Sequence, residues 1–329
     1  MRKTISSWGA AAALAVLAAG AAAQTTPAWP EAKPITVVVP FPAGGAVDFA
    51  ARLVATKLGE RLKQTLVIDN VAGAAGVVGT AKAARAAPDG YTLLVAPDSP
   101  IVIAPLVMPA TVKYDALKDL APVGLVNVTP MMMVARPGLP VGNFADLLKL
   151  AKARPGELTY ASPGVGNVLH VAMESVKHQA QIDMLHVPYK AATQIVTDLI
   201  GNQVDLAMLV PSTAMASVKA GKLKAIGVTV GQRLAVAPEI PALAESRELK
   251  DFHFVTSIGV FAPGKTPVAI VERLNRELNE VLRSPEVRAK FEEQGAVPGS
   301  GSPADFMALL RKEQARNERV VKAAAIKAE

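Results

Sequence analysis

The stretch Ile35-Thr36-Val37-Val38-Val39-Pro40-Phe41-Pro42-Ala43-Gly44-Gly45-Ala46-Val47-Asp48 decides the fold. Its first half is rich in β-branched residues and almost uniformly apolar, the pattern of a strand covered on both faces. Two glycines then permit a tight turn. After them Val47, Ala50, Val54, Leu58 and Leu62 recur at three- and four-residue spacing, which predicts a helix running from Phe49 to Leu62 with one buried stripe. In such a unit the loop's N–H groups converge where the helix presents its partial positive charge, a ready anion site. The device appears twice. The second copy reads Leu158-Thr159-Tyr160-Ala161, then Ser162-Pro163-Gly164-Val165-Gly166-Asn167, then a helix through His170.

Working outward, Thr65–Asp69 and Tyr91–Ala96 read as further strands, the latter after the turn Pro88-Asp89-Gly90, with Gly76–Ala87 helical between them. This β-α-β-α-β order implies parallel strands joined by right-handed crossovers. A middle region repeats the alternation. Asn143 caps a helix over Phe144–Ala153; strands are expected at Leu158–Ala161, Met184–Val187, Val204–Leu209 and Leu223–Thr229, and helices at Val168–Gln179, Thr193–Ile200 and Thr213–Ala220. The last third holds a strand at Val255–Phe261. Three charged helices follow, the first over Val268–Leu282 with Thr266 as cap, the others opening at Ser284-Pro285 and Ser302-Pro303. Helices this long must bury a face. Packing back on the first lobe makes that lobe discontinuous: residues 24–125 plus 232–329, with residues 126–231 as the second lobe. The chain crosses near Ala121–Pro130 and returns between Val230 and Val255. The fold class these elements predict is α/β, two lobes, each a mainly parallel sheet flanked by helices, with a cleft between them.

The N-terminus reads as an export signal: Arg2 and Lys3, an apolar core from Gly9 to Ala19, then Ala21-Ala22-Ala23 before Gln24. The stretch is too short for a membrane span, so cleavage after residue 23 and a periplasmic location are expected. Losing Arg2 and Lys3 leaves 33 basic against 28 acidic side chains, and net charge falls from +7 to +5. The excess is dispersed, which reads as a solvated surface and not a nucleic-acid patch. Aromatic residues at 4% do not suit a stacking platform for single strands. With no cysteine, disulfides, thiol catalysis and cysteine metal sites are excluded.

No nucleophile elbow, His-Glu-x-x-His or Walker sequence occurs. His170 and His178 lie eight residues apart, too far to share a metal on one helix face, and His186 and His253 add no ligand spacing. Gly73-Ala74-Ala75-Gly76-Val77-Val78-Gly79 has the wrong spacing for a dinucleotide loop. The residues therefore point to binding without turnover and without a cofactor. An exported α/β enzyme acting on a small carboxylate, and a periplasmic protein that presents its ligand to a sensor, remain as alternatives.

The motifs Lys33-Pro34-Ile35, Val39 to Asp48, Ala87-Pro88-Asp89-Gly90-Tyr91-Thr92-Leu93, Tyr160 to Gly166 with His170, His186-Val187-Pro188-Tyr189-Lys190 and Phe261 to Pro267 together resemble the periplasmic solute-binding proteins of tripartite tricarboxylate transporters, the TctC-like or Bug family. The resemblance implies the two-lobe fold of periplasmic binding proteins (type II-like), a monomer that closes on a small organic acid and delivers it to the membrane subunits of such a transporter. It implies ligand contacts from Phe41, Gly44, Gly45, Ala46, Val47 and Asp48 in the first loop. Ser162, Gly164, Gly166 and Asn167 would serve in the second loop, and Ser99 after the third strand. Three departures stand out: Val47 replaces a frequent hydroxyl residue, Asn167-Val168-Leu169 replaces a Thr/Ser row, and Ala191 replaces a glycine. Hydroxyl donors are scarcer here and the cleft more apolar.

Each of these residues has a plainer reading. Gly44 and Gly45 serve a turn as readily as an anion, and Ser162 a turn as readily as a donor. Asp48 is expected to steady the helix start and orient loop amides, and His170 to pack. The far end of the ligand is expected near side chains such as Ser99, Met208 and Tyr189.

Overall fold

A computed structural model describes residues 29–326, so the expected leader over residues 1–23 lies outside the described part. The first copy of the device is strand β1 (Ile35–Val39) followed by helix α1 (Ala46–Leu62). The alternation continues through β2 (Leu66–Asn70), α2 (Val77–Ala84) and β3 (Thr92–Pro97). Strand β4 (Leu120–Pro130) runs into β5 (Met132–Ala135) across a single residue, Met131. Next come α3 (Phe144–Ala153), β6 (Thr159–Ser162), α4 (Val168–Ala180), β7 (Leu185–Pro188), α5 (Ala192–Ile200), β8 (Leu206–Leu209), α6 (Pro211–Lys219) and β9 (Lys224–Val228). The chain ends through β10 (Val255–Pro263), α7 (Val268–Arg283), α8 (Pro285–Glu293), β11 (Val297–Pro298) and α9 (Pro303–Ala323).

Two sheets result, in the orders β11-β4-β10-β3-β1-β2 and β7-β6-β8-β5-β9. The parallel pairing implied by βαβ crossovers is found in β2-β1-β3 and β7-β6-β8. The strands that carry the chain between sheets run antiparallel: β10 against β3 and β4, and β5 against β8 and β9. Both sheets are thus mixed, because β4, β5 and β10 pass from lobe to lobe and return. The long strand β4 and the short β5 stand where sequence reading expected only a crossing, since Pro122, Gly124 and Pro130 interrupt the strand pattern. The interruptions survive as register shifts between Ile258 and Gly259 and between Val260 and Phe261 on β10.

Apolar burial follows the pattern that named the elements. Val37, Val39, Val54 and Leu58 share one core with Leu274 and Leu278 of α7, so the C-terminal helices do return to the first sheet. Each fully buried valine or leucine in such a core contributes about 1.5–3 kcal/mol. Helix α9 goes further and packs on both β4 and α4, bracing the two lobes behind the crossing strands. Caps mostly follow the sequence. Asn143 Oδ1 accepts from Asp146 N at 2.9 Å, and Ser302 Oγ accepts from Asp305 N at 3.1 Å. The expected Thr266 cap is not made. Helix α7 starts after Pro267 without a side-chain cap, the Thr266 amide closes a turn onto Pro263 O, and its hydroxyl is buried with no partner among the described residues.

Candidate functional site

A cavity of about 430 Å³ lies between the lobes, within the usual range of small-molecule sites, ~300–1,000 Å³. The first loop forms one wall. Phe41, Gly44, Gly45, Ala46 and Val47 all line it. Gly44 carries the positive φ (+83°), which makes it the residue that requires glycine. Gly45 is extended at φ −85° and ψ 172°. No side chain caps α1. The N–H groups of Gly45, Ala46 and Val47 have no acceptor among the described residues, as the opening of an uncapped helix dictates. They form the wall of the cavity at the helix's positive end.

Asp48 stands behind this loop and not on the wall. Its Oδ2 accepts from Gly44 N (3.0 Å) and Arg52 Nε (2.9 Å), and its Oδ1 from Asn70 Nδ2 (2.9 Å). Burial raises the Asp48 carboxyl, but the hydrogen bonds from Arg52, Gly44 and Asn70 outweigh it and hold it below the ordinary value. The carboxylate therefore anchors the turn that aims the free amides.

The second loop is engaged differently. Pro163 and Asn167 line the cavity, whereas Ser162, Gly164 and Gly166 lie beside it. Gly166 N donates to His170 Nδ1 (3.4 Å) and Leu169 N to Asn167 Oδ1 (2.9 Å). Val168 N donates to Ser99 Oγ (3.0 Å). That last bond crosses between lobes, joining the first residue of α4 to the segment after β3. Ser99 is buried and held by its neighbour: Asp98 accepts from Ser257 N (3.0 Å) and Thr256 Oγ1 (3.2 Å). Burial pushes the Asp98 carboxyl up to about 7, the Ser257 N–H opposing and Glu313 adding. A β-carbon on Gly166 would stand 3.1 Å from Met108 of the first lobe, so the second loop is seated on that lobe.

Beneath this loop, Ser162 Oγ lies 2.7 Å from His186 Nε2, and His186 stacks on His170 at 4.2 Å. Burial lowers His170 to about 3 and His186 to about 4, so both are neutral packing groups at neutral pH. Tyr160 stacks on them and donates to Glu174, which also pairs with Lys177 at 2.9 Å.

Several wall residues carried no signal in the sequence. Asn127 and Thr129 come from β4, Thr256 and Ile258 from β10, and Gln294 and Ala296 from the segment after α8. The second lobe presents two further helix starts, Ala191–Thr193 at α5 and Ser212–Thr213 at α6. Among the described residues Lys190 is the only charged side chain on the wall, and it is exposed. Met208 is fully buried, and neither it nor Tyr189 reaches the cavity. Among the described residues no group of His, Asp and Glu side chains is placed to hold a metal, and no helix is long and apolar enough to cross a membrane.

Two α/β lobes joined by crossing strands, with a cavity walled by helix starts, define a bilobal solute-binding protein. The chain belongs to the tripartite tricarboxylate transporter receptor family, TctC, which it matches over residues 50–326. Protein BugT of Bordetella pertussis is 35% identical over 313 residues, covering 94% of each chain. Among solved structures, Rhodopseudomonas palustris Rpa4515 with adipate superposes with a TM-score of 0.87 at 33% identity, over 91% of this chain and 99% of that one. MatC (Rpa3494) of the same organism, with bound malate, gives 0.83 at 29% identity, over 88% and 99%. The fold is that of periplasmic binding proteins.

Proposed function

We propose that this chain is an extracytoplasmic binding protein without turnover that captures a small organic acid and hands it to the membrane subunits of a tripartite tricarboxylate-type transporter. It acts as a monomer after removal of residues 1–23. Its lobes divide as residues 24–125 plus 232–329 and residues 126–231. The uncapped start of α1 carries this reading: three unpartnered amides on a cavity wall, held in aim by Asp48, suit one carboxylate. The second loop closes over that carboxylate from the other lobe, its Gly166 amide engaged by His170 and the first two amides of α4 by Ser99 and Asn167. The acids bound by Rpa4515 and MatC support the class of ligand.

A thermal-shift screen of mono- and dicarboxylates, aromatic acids and nicotinate-like compounds, followed by calorimetry, tests this. One site per chain is expected, with the acid recovered unchanged by mass spectrometry. Chemical conversion of a tightly bound acid, or no binding by any carboxylate, contradicts it.

A further inference from the structure

Phenylalanine is scarce in this chain, eight residues in 329, yet three of the eight line the cavity between the lobes: Phe41, Phe49 and Phe291. All three belong to the lobe that presents the free amides. Phe41 immediately precedes the loop, and its ring is wedged against Gly76 and Pro100: a β-carbon on Gly76 would stand 3.0 Å from it. Phe49 is the fourth residue of α1, about 4.5 Å along the axis from Ala46 at a rise of ~1.5 Å per residue. It meets Phe291 edge to face, with centroids 6.3 Å apart and planes at 90°. Phe291 is fully buried and fixed, while Phe49 is half-buried with ring surface left toward the cavity.

Facing these rings are Val196 and Val210 of the second lobe, with Ile258 on β10. Among the described residues the wall has no arginine and no acidic side chain. A body carrying further charge would find, among the described residues, no cationic side chain on the wall but the exposed Lys190 to offset its desolvation. A flat ring, by contrast, matches the edge and face geometry that Phe49 and Phe291 already adopt.

We infer that the ligand is an aromatic carboxylate, its carboxylate on the amides of Gly45–Val47 and its ring against Phe49, which Phe291 backs edge to face. The inference rests on the proposed capture of a carboxylate at the start of α1. An acid whose ring is bonded directly to the carboxyl carbon fits the short span, about 4.5 Å along the axis, between those amides and Phe49.

Calorimetry on the whole chain with benzoate, cyclohexanecarboxylate and adipate tests it. Benzoate is expected to bind at least ~10-fold tighter than adipate and ~3-fold tighter than cyclohexanecarboxylate, whose size is similar but which lacks the π-system. Phe49→Leu is expected to weaken benzoate ~3–10-fold and to lower the benzoate-to-adipate affinity ratio. Adipate binding tighter than benzoate, or benzoate affinity unchanged in a folded Phe49→Leu variant, overturns the inference and leaves the carboxylate site standing. If Phe49→Leu fails to fold, the benzoate-to-cyclohexanecarboxylate ratio on the native chain decides, and a ratio near one overturns the inference. If none of the three acids binds, the capture reading falls and the inference falls with it.

Discussion

Replacing Ser99 by Ala tests whether the lobes are coupled through the site. Ser99 Oγ accepts from Val168 N at 3.0 Å, and the two residues belong to opposite lobes. Val168 opens α4, so its amide has no partner within its own helix. In the closed form the residue is buried, and deleting the hydroxyl orphans a buried donor at about 1–3 kcal/mol. If opening the cleft separates Val168 from Ser99, that amide reaches water and the cost falls on the closed form alone. A shift of this size lowers the population able to bind by about 5- to 150-fold, and apparent affinity by the same factor. Calorimetry with the strongest acid from the screen reads the affinity, and solution scattering with and without saturating acid reads closure. The variant should show a weaker dissociation constant and a smaller fall in radius of gyration at equal ligand. Native affinity together with native compaction in Ser99→Ala would refute the reasoning, because the cross-lobe bond would then be without energetic consequence.

Other substitutions separate the parts of the first loop. Gly45→Val should fold normally, since φ is −85° and the nearest atom to a new β-carbon is Pro42 O at 3.8 Å; it should nonetheless cost at least tenfold in acid affinity by obstructing one or more charge-assisted bonds of about 1.5–3 kcal/mol. Gly44→Ala meets open space but needs φ +83°, so thermal melts should show a loss of about 1–2 kcal/mol. The paired histidines make stability fall toward acid: His170 is held near 3 in the fold but titrates near 6.5 when unfolded, so protons favour the unfolded chain below pH 6.5. At pH 5 the loss is about 2 kcal/mol for His170, from 1.36 kcal/mol per unit over 1.5 units. Asp98, raised to about 7, works in the opposite sense between its unfolded value and pH 7. Denaturant melts of the native chain and His170→Gln at pH 7 and pH 5 cancel the Asp98 contribution; a stability gap that does not move with pH would count against a buried neutral His170.

The parts legible in the sequence were those written in local periodicity. Strand β1, its glycine turn and the stripe from Val47 to Leu62 are contiguous, and so are Phe144–Ala153 and its Asn143 cap. Strand β4 was not legible, because Pro122 and Gly124 sit inside it and its stability comes from pairing with β10, more than a hundred residues away. The same distance hid Asn127, Thr129, Thr256 and Gln294 from any reading of the site. Similarity of sequence also concealed a difference in role: both glycine loops open helices, but only α1 leaves its first amides free. The first two amides of α4 meet Ser99 and Asn167 and the Gly166 amide meets His170; Ser99, 69 residues away, is a partner that no local spacing foretells.

The claim that the open start of α1 binds a carboxylate is tested most directly by titrating the protein with an acid and its uncharged amide, benzoate against benzamide and adipate against adipamide, in one calorimeter under one buffer. Replacing the anion by an amide removes charge from two or more N–H···O contacts, so at least one acid should bind ~100-fold or more tighter than its amide. Equal affinity of acid and amide in both pairs would contradict the account.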